Sequence, residues 1–371
     1  MSQFAIPIVV VLLSAAANAC VVPVFRYALE RWRPDVCDAI VFHDGPLTKA
    51  QQAFVQQLQT ASFKHNGPTN IEVYQQNIAD NMDDAVSVLW ENLSRQPSLT
   101  LPYVVVRSSV AGQRINNWRG SIDDAMKAEL LASPVRNELS RRLLTGHSAV
   151  WLVLKSDNQD RNDAVVQLLN EQLKLLSQRI PIPEGIGLPG SELFSDIPLL
   201  MKFSVLEIDP ADDREQFLVD LLTGFEPDSI NNGEPLVVPV FGRGRALEVI
   251  PAKQLDVGLI EDLTLFLCGA CSCQVKERNP GFDVLMTAHW ERELFGEDAE
   301  EFASQMVVAA TTFVEPVLVP IPSGSSKNEV SVDIDKAGAV SPRHPGSWLS
   351  GGMICLVAIV IAIVLGHSMK T

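Results

Sequence analysis

The chain has 371 residues, 47% of them hydrophobic, and a formal net charge of −16. A phosphate-binding surface needs clustered Lys and Arg, so this balance speaks against nucleic acid as a partner and against docking on anionic lipid through a basic patch. The length leaves room for two ordinary domains plus tails, and the excess of acid is read as serving solubility.

Residues 1–19 carry an apolar run from Ala5 to Leu13, then Ser14-Ala15-Ala16-Ala17-Asn18-Ala19 ahead of Cys20. A short apolar run ending in Ala-x-Ala reads as a secretory signal with its cleavage site. It is too short for a membrane span, which takes roughly 20 residues. Cleavage after Ala19 leaves Cys20 first, a candidate for lipidation. Asn18 stands where lipoprotein signals want a small residue, so ordinary cleavage is the competing reading.

Residues 20–133 form the first expected domain. Phe25 to Trp32 is a short helix stopped by Pro34, and Ala39 to Phe42 a strand. Thr48 starts a helix with Phe54, Val55 and Leu58 at helical spacing. Asn70 to Tyr74 alternates as a strand. Asp83 to Leu93 is a helix with Ala85, Val88 and Leu89 inward. Leu101 to Val106 and Arg114 to Trp118 are strands, and Ser121 caps a helix through Leu131.

Residues 134–290 repeat the order. Val135 to Leu144 is a helix closed by Gly146, and Ala149 to Leu154 a strand. Asn162 to Arg179 is an amphipathic helix. A Pro/Gly-rich loop leads to a strand at Phe203 to Ile208 and a helix at Glu215 to Leu222. Leu236 to Phe241 and Ala246 to Ile250 make a hairpin around Gly242-Arg243-Gly244, and Val257 to Leu267 is the last helix. Both domains therefore read α-β-α-β-α-β-β-α, an α/β class.

Residues 291–347 read as a charged helical stretch followed by a flexible Pro/Ser/Gly linker. Residues 348–366 hold the uncharged run Met353 to Leu365, long enough with its flanks to span a bilayer. Trp348 suits the interface, and Lys370 beyond it agrees with a body outside the cytoplasm.

The element order, with Leu101-Pro102-Tyr103-Val104-Val105-Val106 and Trp118-Arg119-Gly120 in the first domain and Glu234-Pro235-Leu236-Val237-Val238-Pro239-Val240-Phe241 in the second, resembles the thioredoxin fold. The resemblance implies two tandem thioredoxin-like domains and a cis proline at Pro102. In the second domain, Pro235 and Pro239 both remain candidates, and Pro239 implies an edge or bulge in its strand. Three further strings are similar to an uncharacterised group of exported planctomycete envelope proteins. They are Cys20 to Trp32, Val240 to Leu247, and Cys271-Ser272-Cys273-Gln274-Val275-Lys276. No activity follows from that likeness.

A thioredoxin works through two cysteines at a helix N-terminus, which lowers the pKa of the first thiol. In Phe42-His43-Asp44-Gly45-Pro46-Leu47-Thr48 the pair Gly45-Pro46 matches the middle of that motif, with Asp44 and Leu47 in the cysteine places. Asp44 reads as an acid favourable to the helix dipole. Ser156 to Arg161 also lacks Cys, so both redox sites are expected to be silent.

The concentrated chemistry is Cys268-Gly269-Ala270-Cys271-Ser272-Cys273. Cys268, Cys271 and Cys273 read as a structural disulfide set, as exchange-active thiols, or as ligands for Cu(I) or Zn(II), with His289 the nearest downstream candidate. Cys37 reads as a buried thiol. Arg243 and Arg245 read as solvated residues beside a glycine turn, an anion or partner contact being the sharper alternative.

The expectation is a non-enzymatic binding or assembly protein without cofactor, a single-pass cell-membrane protein with a periplasmic body. Its expected partner is another envelope protein. The alternative is a thiol or copper/zinc handler working through Cys268, Cys271 and Cys273.

Overall fold

A computed structural model describes residues 20–296 apart from 98, 111–112, 132 and 272–274. The signal segment, Cys273, and the linker and membrane helix expected after residue 296 lie outside the described residues. Among the described residues, no helix is long and apolar enough to cross a membrane.

The elements of the first half are α1 (Val24–Arg31), β1 (Cys37–His43), α2 (Lys49–Ala61), β2 (Ile71–Asn77), α3 (Asp84–Ser94), β3 (Tyr103–Val110), β4 (Gln113–Ser121) and α4 (Ile122–Lys127). The second half runs α5 (Pro134–Leu144), β5 (Ala149–Leu154), α6 (Gln159–Arg179), β6 (Phe203–Ile208), α7 (Gln216–Phe225), α8 (Pro227–Asn231), β7 (Leu236–Phe241), β8 (Arg245–Ala246), β9 (Ile250–Pro251) and α9 (Val257–Cys268). A final stretch adds β10 (Phe282–Asp283) and α10 (Trp290–Phe295). The chain is thus a mixed α/β protein with two sheets and helices, all described residues falling in one compact unit.

The two sheets share a plan. The first has order β2-β1-β3-β4; the second, β10-β8-β7-β5-β6, with β9 also on β7. In each, a central strand pairs in parallel with the strand after its crossover helix and antiparallel with a returning strand. Parallel neighbours need such a crossover. β1 and β5 are buried almost throughout, which is why Ala39 to Phe42 and Ala149 to Leu154 read as unbroken apolar runs. The helix starts are written locally: Thr48, Asp83, Ser121, Ser133, Asn158 and Asp256 each accept a hydrogen bond from a backbone N–H of the first turn.

Four features depart from the sequence reading. First, α1 packs against the second sheet: Phe25, Tyr27, Ala28 and Trp32 share a core cluster with Trp151, Phe241, Ile260 and Leu267. Its apolar stripe does not say which sheet will cover it. Second, α3 turns Val86, Leu89, Trp90 and Leu93 toward the first sheet, and Trp90 stacks on Phe42 at 5.2 Å. Ala85 is exposed and Val88 is 59% exposed, so the expected inward face was rotated. Third, the strand expected over Ala246 to Ile250 breaks into β8 and β9, stepping by one residue across from Pro239, which has no N–H for the ladder. Fourth, the halves are not separate cores, because one cluster holds Val41, Val106 and Trp118 together with Phe217, Leu221, Leu285 and Trp290. Leu101–Pro102 is cis, and it is the one cis peptide among the described residues, so neither Pro235 nor Pro239 takes that role.

The final stretch is held by side chains instead of by a long ladder. Asn70 Nδ2 donates to Asp35 O at 2.8 Å and Val284 O at 3.2 Å, while its Oδ1 accepts from Met286 N at 2.7 Å. Arg136 Nη1 donates to Leu130 O and Leu285 O, both at 3.0 Å, and its Nη2 to Glu129 O at 3.1 Å. Replacing Asn70 with Ala strands two carbonyls and one N–H inside the protein. Urea unfolding of Asn70→Ala is expected to show a loss of about 2–4 kcal/mol, since each buried group left unpaired costs about 1–3 kcal/mol.

Candidate functional site

In the second sheet, two loops meet at the carboxyl end of β5. One joins β5 to α6; the other joins α8 to β7. Ser156 Oγ donates to Gly233 O at 3.0 Å. Asn162 Oδ1 accepts from Ser156 N at 3.0 Å, and its Nδ2 donates to Ser156 O at 2.9 Å. Arg161 Nη1 donates to Asn232 O at 3.2 Å and pairs with Glu234 Oε2 at 2.9 Å. Gly233 has φ +66, and a Cβ there would lie 3.0 Å from Asp157 Oδ1, so the turn favours glycine.

Between the loops opens a cleft of about 580 Å³ lined by Asp157, Asn158, Gln159, Asp160, Asn231, Asn232 and Gly233. Its lining offers amides, carboxylates and backbone groups. It contains no thiol, hydroxyl nucleophile, imidazole or amine. Such a wall can hold a polar ligand by hydrogen bonds. The sequence reading named this loop only for its missing cysteine. Asn158 lies ahead of Asn162, where the sequence expectation begins the helix, and Asn231-Asn232-Gly233 is a turn string whose neighbour in space is not readable from the chain.

The matching place in the first sheet is different. His43 Nδ1 lies 2.8 Å from Gly45 O. Thr48 caps α2 in a reciprocal box with Gln51, and the first turn of α2 carries no acid. Asp44 lies in the bend before that cap, so the expected dipole role for Asp44 is corrected. Gly45, Pro46 and Leu47 likewise precede the helix. Asp157, by contrast, directly precedes the Asn158 cap.

Cys268 and Cys271 are buried at the end of α9, in one apolar cluster with Cys20, Val22, Leu263 and Leu267. They do not line the cleft. Burial pushes the Cys268 thiol up to about 12. Burial also pushes Cys37 up to about 12, with Asp283 and Asp38 adding to it. A thiol held protonated in this way is a poor nucleophile and a poor metal ligand. Among the described residues, no group of three His, Cys, Asp or Glu could hold a metal ion.

Arg243 and Arg245 are not solvated; they are 3% and 6% exposed. Arg243 donates to Leu29 O at 2.7 Å and Glu30 O at 3.0 Å, closing the last turn of α1, and pairs with Glu291 at 2.8 Å. Arg245 donates to the carbonyls of Asn279, Pro280 and Gly281 and pairs with Asp283 at 3.1 Å. The glycine between β7 and Arg243 has a packing reason: Gly242 sits at φ +59, where a Cβ would fall 2.8 Å from Ala28 Cβ. Both arginines are clamps: the glycine turn brings Arg243 to α1, and Arg245 holds the 279–283 segment. Arg26 is buried too, paired with Glu30 at 2.8 Å and donating to Ser195 O at 2.6 Å.

No protein-family model, curated protein or solved structure matched this chain.

Two consequences for the thiols are measurable. In the native protein at mildly alkaline pH, Cys37 and Cys268 are expected to resist alkylation and to react once the chain is unfolded. The folded state also keeps these protons up to about 12, against 9.0 for an ordinary thiol. Their share of stability is therefore full below 9.0 and falls as pH rises from 9.0 toward 12, which alkaline denaturation series will read.

Proposed function

We propose that this chain is a binding or assembly protein of the cell envelope, built from two redox-silent thioredoxin-like modules and tethered by the segment Met353 to Leu365. The observation that carries the reading is the chemistry at the two strand-to-helix loops. His43 to Thr48 and Lys155 to Asn158 contain no cysteine, and the second opens on a cleft suited to hydrogen bonding. The parallel central pair in each sheet, the antiparallel return, and cis Pro102 before β3 support the thioredoxin-like part of the reading.

In this reading the polar cleft between Asp157 and Asn232 receives part of another envelope protein. The body lies on the periplasmic side, the Pro/Ser/Gly segment spaces it from a single-pass anchor, and no cofactor is used. Thiol exchange or copper/zinc handling at Cys268, Cys271 and Cys273 is the weaker alternative, because Cys268 is buried and holds its proton.

The purified protein is expected to leave insulin reduction by dithiothreitol at its uncatalysed rate. In cells, the protein should follow the membrane fraction. A photo-cross-linking residue in place of Asn232 should capture an envelope protein that the same residue at exposed Gln167 does not. Catalysed insulin reduction, or identical capture from both positions, overturns the proposal.

A further inference from the structure

The two sheets have four edge strands, β2 and β4 in the first, β10 and β6 in the second. An edge presents unpaired N–H and C=O groups, a template for another chain, and proteins blunt it with bulges, charges or short strands. Three of these edges are blunted. β4 steps in register against Val106 and Arg107, leaving Asn117 as an extra residue, and it carries Arg114 and Arg119. On β6, Arg142 Nη1 donates to Val205 O at 2.8 Å. β10 has only two residues. β2 has none of these devices. It runs for seven residues in unbroken register with β1, without Pro or Lys, and Glu72 is its one charge.

The free groups of β2 can be placed. Cys37 N–H donates to Asn70 O at 2.8 Å and Ile78 N–H to His43 O at 2.9 Å, so Glu72, Tyr74 and Gln76 turn their backbone groups to β1. The residues between them turn theirs outward. The chain itself closes the ends of that outward row. Thr69 O accepts from Phe63 N at 2.9 Å and from Ile71 N at 2.8 Å. Asn77 O accepts from Asp80 N at 3.1 Å and from Gln76 Nε2 at 2.8 Å. Val73 and Gln75 are left with their N–H and C=O pointing away from the sheet, and Tyr74 between them is 44% exposed.

We propose that β2 is a dimerisation edge, pairing antiparallel with β2 of a second copy of this chain across a two-fold axis at Tyr74. In that register Val73 opposes Gln75 of the second copy, and each donates its N–H to the other's C=O, so every group left open is used. Setting Val73 opposite itself would face Gln75 with Ile71, whose N–H is already spent. Setting Gln75 opposite itself would face Val73 with Asn77, whose oxygen is already spent. The closed ends therefore select the register. Tyr74 meets Tyr74 of the second copy in a closely spaced aromatic pair, with Cα atoms about 4.5 Å apart. Glu72 faces Gln76 of the second copy, so no like charges meet across the seam. A two-fold axis supplies the same open window on both sides, which commits the edge to a second copy. This edge belongs to the first sheet and is independent of the cleft in the second.

The test uses the full chain in detergent. Under mild oxidation Tyr74→Cys is expected to form a reductant-sensitive dimer beyond any that the unsubstituted chain gives, because the opposed Cα spacing lies inside the disulfide range of about 4.4–6.8 Å. Gln76→Cys should not, since its two copies stand about 13 Å apart along the strands. Gln75→Pro removes an outward N–H that an edge strand can spare for folding, and Tyr74→Lys puts like charges on the axis. Each should raise the dimer dissociation constant about tenfold or more in sedimentation, with far-UV circular dichroism unchanged. Equal cross-linking from Tyr74→Cys and Gln76→Cys overturns the proposal, as does a dissociation constant that neither Gln75→Pro nor Tyr74→Lys moves. So does a chain that stays monomeric throughout the concentration series, or a Tyr74→Cys chain that links in cells only to a different protein, which would give the edge to that partner.

Discussion

The structure depends on buried side-chain donors answering backbone carbonyls that no sheet reaches. The stretch from Val275 to Ala288 enters the interior with only a two-residue strand, yet its polar groups must find partners. Asn70, Arg136 and Arg245 supply them. A guanidinium suits this task because its donors are fixed in one plane and can reach several carbonyls at once. Burying such a charge is costly unless it is answered. Asp283 answers Arg245 and also pairs with Lys276, which in turn reaches Asp35 at 2.7 Å. Glu291 answers Arg243. Desolvation still lowers Arg136 to about 10, with Glu215 opposing the shift, so Arg136 stays charged at neutral pH.

These clamps explain why the two halves behave as one body. Each sheet satisfies its own ladder, so hydrogen bonding within the sheets would leave them independent. Arg136 sits at the start of α5, between the halves, and reaches both Leu130 and Leu285. Asn70 reaches from the start of β2 to Val284 and Met286. Apolar packing then closes around them, with Trp290 and Leu285 in the cluster that also holds Val106 and Trp118.

The legible part of this fold was the part decided by short-range pattern. The strands Ala149–Leu154, Phe203–Ile208 and Leu236–Phe241 have the bounds the sequence suggests, because each is an apolar run between turn signals. The α3 face was misread because Val86, Val88, Leu89 and Trp90 crowd one another, and only the ring of Phe42 decides which of them turns in. Nothing local marks Arg243 and Arg245 as buried, since an arginine beside a glycine turn looks the same in the chain whether a helix terminus lies over it or solvent does. Thr48 marks the start of α2 in the sequence as in the structure, whereas Asp44 owes its expected place at that start to the likeness of Gly45-Pro46 to a motif and lies in the bend before it. The cleft was legible only in its parts, because Asn158 and Asn232 come together through the pairing of β5 with β7.

The two sheets therefore share a plan and differ in what they offer. At the first, Phe42 and Tyr103 share one apolar cluster, with Trp90 stacked on Phe42 and Leu101 packed against the cluster, so the end of the sheet is spent on its own core. At the second, the loops are tied to each other by Ser156, Asn162 and Arg161, which leaves Asp157, Asn158 and Asn232 to face outward. Some of those groups are tied themselves, Asn158 Oδ1 accepting from Arg161 N at 3.1 Å and Asn232 Nδ2 donating to Asp228 O at 2.6 Å, which fixes the wall's geometry at low ordering cost. Among the described residues, thiols are absent from both ends, and Cys20, Cys268 and Cys271 lie buried at the seam between α1 and α9, where burial raises the Cys268 thiol to about 12. The polar cleft and the thiols thus lie in separate places, and Arg243 holds the last turn of α1 beside the thiol seam.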